Sequence, residues 1–108
     1  MPESAEPSAL KPLEDVPATA LADAMALFPE MDQQSLYESA GFTCVLIDNL
    51  GGDFDQVAQL ELSEMNVTVA QAKGIIALSA EHVCPTWGDG FAAWRDSGGL
   101  DRLEQAAH

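Results

Sequence analysis

Residues 35–52 read SLYESAGFTCVLIDNLGG, and the reading of this stretch decides the fold class. Ser35 and Glu38 have the spacing of a capping box, in which the serine hydroxyl and the glutamate each satisfy a backbone donor at a helix start. Leu36, Ala40, Thr43, Ile47 and Leu50 then recur at helical spacing, with Cys44 on the edge of the same face. Gly51-Gly52 ends the helix, because glycine enters the left-handed conformation of a helix terminus without a Cβ penalty.

The same punctuation recurs on both sides. A first helix is expected from Thr19 to Leu27, with Leu21, Met25 and Phe28 on one face and Pro29 limiting it. After the glycines, Asp53 to Gln56 repeats the capping logic, and Phe54, Val57, Ala58 and Glu61 define a short third helix. Thr68 to Gln71 caps a fourth, whose stripe is Ala72, Ile75, Ile76, Ser79, Ala80 and Val83. Cys84-Pro85 closes it, since the residue before a proline disfavours the helical region. The second and fourth helices thus each present a cysteine toward one core, with the third helix inside the loop between them. Two cysteines beside apolar neighbours in a chain of 108 residues point to a structural disulfide, and so to an oxidising location.

Past Pro85 the chain reads TWGDGFAAWRDSGG, with Trp87, Phe91 and Trp94 at i, i+4 and i+7 of a fifth helix. These rings are candidates for an interaction surface, tryptophan being enriched in binding hot spots. The competing reading has the same helix folding back to shield a core built from small, alanine-rich helices. Gly98-Gly99 breaks the chain before a final short helix with Leu100, Leu103 and Ala107. At the other end, MPESAEPSALKPLEDVPA is rich in proline and acid and has no apolar period, which describes a disordered tail. The expected architecture is all-α: a small bundle of four to five short helices stapled by one disulfide. Residues 1–18 form the tail, 19–85 the stapled domain and 86–108 an aromatic helical extension.

Charge narrows the function. Eighteen Asp and Glu oppose Lys11, Lys73, Arg95 and Arg102, a net charge of −14. No basic residue stands between Pro12 and Ala72, so direct nucleic-acid binding, which needs clustered Lys and Arg, is not expected. The acidity reads as a solvated surface with acids placed at helix starts, where the dipole favours them; its functional alternative is mimicry of nucleic acid or docking in a basic cleft. No apolar run is long enough to span a membrane. The N-terminus lacks the basic and apolar regions of a signal peptide. Export therefore implies a leader removed or a lipid-anchored N-terminal residue; a cytoplasmic protein with reduced thiols is the alternative.

Reactive chemistry is sparse. His82, Cys84 and Cys44 lack the second Cys-x-x-Cys or His partner of a soft-metal site, so no metal is expected. Haem ligation by His82 or Tyr37 has no motif behind it, and no cofactor is expected. No nucleophile motif such as Gly-x-Ser-x-Gly occurs. The carboxylate pairs Asp53/Asp55 and Glu61/Glu64 read as a helix cap and a solvated turn. Gly51-Gly52 leads into an acid instead of a phosphate-binding lysine.

Gly41-Phe-Thr-Cys44 followed by Leu50-Gly51-Gly52, then Val69-Ala-Gln71-Ala72 leading to Ala80-Glu-His-Val-Cys84-Pro85, resembles the domain of unknown function 732. That family comprises small exported proteins of mycobacteria, their relatives and their phages. The resemblance covers roughly Ala20 to Pro85. It implies a helical domain stapled by one disulfide, secreted or anchored in the cell envelope, with no established activity. The combined expectation is a non-enzymatic interaction module whose partner is another protein. A cytosolic acidic inhibitor is the alternative from another class, and a small-ligand or haem carrier the third.

Overall fold

Six α-helices follow one another in the computed structural model, which describes residues 10–106. They are α1 (Ala18–Leu27), α2 (Gln33–Asn49), α3 (Phe54–Glu64), α4 (Val69–Leu78), α5 (Gly88–Asp96) and α6 (Gly99–Ala106), and no strand occurs among the described residues. Helix α4 runs through the middle and packs against α1, α2, α3 and α6. The expected all-α, disulfide-stapled class is what is observed, and α6 is the final short helix expected after the fifth.

Local chemistry sets most of the boundaries. Thr68 and Gln71 form a reciprocal capping box at α4: the Thr68 hydroxyl accepts from Gln71 N (3.1 Å) and Gln71 Oε1 accepts from Thr68 N (3.0 Å). The amide of the same Gln71 donates to Leu27 O (2.8 Å), which ties the start of α4 to the end of α1. Between these helices Gly74 faces the Leu27 side chain so closely that an added Cβ would overlap it. At α2 the expectation needs correction. Asp32 caps the helix by accepting from Ser35 N (2.8 Å), so α2 begins at Gln33, ahead of the anticipated Ser35 cap. Glu38 receives a hydrogen bond from Gln34 on the helix surface instead of closing a box. A carboxylate one turn upstream is an effective cap in its own right, and it lengthens the helix.

The buried stripes are Leu21 and Ala24 on α1, Leu36, Ala40, Thr43, Cys44 and Ile47 on α2, and Phe54, Val57, Ala58 and Glu61 on α3. On α4 the stripe Ala72, Ile75 and Ile76 continues through Ser79, Ala80 and Val83. Residues Ser79–Val83 widen into a π-helical turn, in which Cys84 N reaches back five residues to Ser79 O (2.7 Å). The Ser79 hydroxyl donates within this turn, lying 2.6 Å from Ile75 O and 3.0 Å from Ala40 O on α2. One extra residue in a turn shifts all that follows by about 100° around the axis. That shift delivers Cys84 to the α2 side, where it bonds Cys44 with a Cα–Cα distance of 6.1 Å.

The anticipated tail of residues 1–18 is corrected over its second half. Lys11 N donates to Val83 O (2.8 Å), Lys11 O accepts from the Tyr37 hydroxyl (2.6 Å), and Val16 is buried. Pro12 and Pro17 fix extended backbone on either side of a 3-10 turn at Leu13–Asp15, so ordering this segment forfeits little entropy. Residues 1–9 of the anticipated tail lie outside the described residues, as does Ala107 of the final helical stripe.

Candidate functional site

The two cysteines sit in the driest part of the molecule, both fully buried and both against the Ser79 carbonyl. Their staple joins α2 to the turn following α4. It is a structural bond, with no thiol facing a cleft.

The aromatic residues are inside as well. Phe91 and Trp94 of α5 are buried and form a three-ring cluster with Phe54 of α3, centroids 5.6–5.9 Å apart. Trp94 Nε1 donates to Asp55 Oδ1 (3.0 Å), and Arg102 of α6 reaches the same carboxylate. The Trp94 hydrogen bond, helped by Arg102, holds the Asp55 carboxyl below the usual range. Trp87 does not share the α5 face. It lies in the 3-10 turn Pro85–Trp87 that precedes α5, half-buried, and donates Nε1–H to Asp48 of α2 (2.6 Å). The arrangement is therefore the core-shielding one, and Phe91 and Trp94 leave no ring face for a partner. Asp55, expected to belong to a helix cap, is the polar anchor of this cluster, while Asp53 caps α3 by accepting from Gln56 N (3.2 Å).

Two of the exposed large hydrophobic side chains are on α2. Phe42 and Val45 are 47% and 39% exposed, and Leu10, 44% exposed, reaches across to Gly41 beside them. Phe42 and Val45 were legible as two large apolar residues off the buried stripe, a signal that the search for one core-facing stripe passes over. Phe42 and Val45 belong to the stretch without a basic residue, whereas Leu10 is followed by Lys11.

The second unabsorbed feature is a buried acid. Glu61, grouped with Glu64 in the sequence as a solvated turn, is 2% exposed; Glu64 is the exposed member. Its Oε2 accepts from the Thr43 hydroxyl of α2 (2.8 Å). Burial pushes the Glu61 carboxyl above the usual range, against a smaller pull from Thr43 in the other direction. Glu61 and Thr43 line a cavity of about 80 Å³ whose other walls include Phe28 and Ile75. Met31, Met65 and Val67 stand at its more exposed side. Apart from Glu61 the lining is uncharged.

His82 does not converge with the cysteines on a metal site, because both sulfurs are committed to the disulfide. Among the described residues no helix is long and apolar enough to cross a membrane. No family model, curated protein or solved structure matches this chain at a significant level.

Proposed function

We propose that this chain is a non-enzymatic, exported or envelope-anchored interaction module of the kind represented by the domain of unknown function 732, in an actinobacterium or its phage. The observation that carries the interaction reading is the apolar strip of Leu10, Phe42 and Val45, three of the four exposed large hydrophobic side chains among the described residues. Side chains of this size are seldom left outside a small domain in a group unless something covers them. The wholly buried disulfide supports export, since cytosolic reductants disfavour such bonds. The partner would be a protein presenting an apolar face with a neutral or basic rim, because the surrounding chain is acidic.

The test replaces Phe42 and Val45 by Asp together and compares capture of partners from the envelope fraction of the producing cells. Both side chains point outward, so helicity and unfolding midpoint should stay near wild type, within about 0.5 kcal/mol per substitution. A discrete partner held by the wild type and lost by the variant supports the proposal. A partner held equally by both, or none held by either, overturns it.

A further inference from the structure

We infer that the cavity beside Glu61 is a binding site for the end of an unbranched primary alkylammonium. The site pairs a carboxyl with walls that suit carbon. Glu61 is one of the least accessible side chains of the molecule, yet its one described partner is the Thr43 hydroxyl on Oε2. An ionised carboxylate has about four acceptor positions, so most of its capacity is unused there. Three of the four basic side chains are engaged with other acids: Lys73 with Glu104, Arg95 with Glu81 and Asp96, Arg102 with Asp55. No cation among the described residues lies within ion-pair distance of Glu61.

The shape selects among ligands. A cavity of ~150 Å³ holds a benzene ring, so one of about 80 Å³ holds roughly half as many heavy atoms. That accommodates about two carbons and the terminal nitrogen of an unbranched chain, with a third carbon at the open rim, and excludes an aromatic or quaternary amine. Phe28 and Ile75 give the carbons an apolar bed, and Phe28 with the sulfurs of Met31 and Met65 tolerates a neighbouring cation. Anions are disfavoured by the carboxyl and by the net charge of −14, which draws cations to the surface instead. One carboxyl and the two hydroxyls of Thr43 and Ser39 offer too few oxygens for a hard metal ion. The rim adapts. Asn66 sits in the left-handed conformation (φ 57°) between Met65 and Val67, so a tight turn holds two flexible or half-buried side chains over the opening. The bound nitrogen would donate to Glu61, restoring the ionised form that burial disfavours.

Two sources share this chemistry, a free short amine and the end of a lysine side chain. The experiment is a titration of amide resonances of the intact protein near neutral pH with n-propylammonium chloride. Saturable shifts are expected at Thr43, Glu61, Val67 and Ile75. The isosteric n-propanol should bind at least about tenfold more weakly, and Glu61→Gln should weaken n-propylammonium by a similar factor, because each removes the charge-assisted hydrogen bond. Ile75→Val keeps the carboxyl and enlarges the wall, so it should move the preference from n-propylammonium toward n-butylammonium. A terminally blocked lysine amide distinguishes the sources: binding as tight as the free amine assigns the site to a partner's lysine, and weaker binding assigns it to a small metabolite amine. Equal binding of propanol, undiminished binding by Glu61→Gln, or no saturable shift at millimolar amine overturns the proposal, and an unchanged chain-length preference in Ile75→Val counts against it.

Discussion

At Glu61 two elementary rules of sequence reading collide. Charge argues for solvent, whereas the α3 stripe running through Phe54, Val57 and Ala58 places position 61 inside. The period prevails, because the helix cannot turn Glu61 outward without exposing Phe54 and Ala58. The consequence is a pH dependence with a definite sign. The unfolded chain titrates Glu61 near its ordinary value of 4.5, and burial raises the folded value above that. The folded state therefore holds the proton more tightly, and stability present below the ordinary value is lost as pH rises through the folded one. In Glu61→Gln the amide oxygen can still accept from Thr43, so this loss should vanish. Urea denaturation should find the variant more stable than wild type by about 1 kcal/mol near neutral pH, with the gap closing toward about pH 4. A gap that ignores pH would mean that the carboxylate is fully compensated where it lies. The exposed Phe42 and Val45 make the converse point. Periodicity excludes them from the core without saying what they are for.

At the level of elements, the helices were legible where their determinants are local. Thr68 and Gln71 carry the whole α4 start within four residues, and both arms of the box form. Thr68→Ala removes the acceptor for Gln71 N and should lower stability by about 1 kcal/mol, with Thr68→Ser restoring most of it. The unfolding midpoint reports both, and an unchanged midpoint in Thr68→Ala would show that the Gln71 bond to Leu27 alone sets this terminus. The misreadings share a physical cause. Ser35 and Glu38 have box spacing, but Asp32 one turn earlier already satisfies Ser35 N. Trp87 has helical spacing to Phe91 and Trp94, but the break after Cys84 and the bond to Asp48 place it in a separate turn. The π-helical turn left no trace in the sequence beyond Ser79, because it depends on carbonyls from two helices meeting one hydroxyl. Spacing describes a single element, and these features are settled between elements.

For the molecule as a whole, the acids and the staple divide the work of holding small helices together. Several acids are structural: Asp32 and Asp53 cap helices, and Asp48 and Asp55 bind the two tryptophans. The rings so anchored supply bulk that the alanines of the central helices lack. The disulfide acts on the other side of the equilibrium. Cys44 and Cys84 enclose a sequence separation of 40, which contains all of α3 and α4. Cross-linking a loop of about 40 residues restricts the unfolded ensemble enough to contribute about 4 kcal/mol. Small domains have only about 5–15 kcal/mol in total, so the staple is a large share. Replacing both cysteines by Ala should lower the unfolding free energy by about that amount, because the loop closure is lost even where the packing survives. Because both sulfurs are fully buried, a reductant should also reach them only through opening of the bundle. Release of free thiol from the wild type, without denaturant, should therefore keep pace with amide exchange at Ile47 and Ile76, two fully buried positions of α2 and α4. Thiol release much faster than that exchange would mean that the Pro85 end frays by itself, and that the staple guards one terminus of the domain instead of its centre.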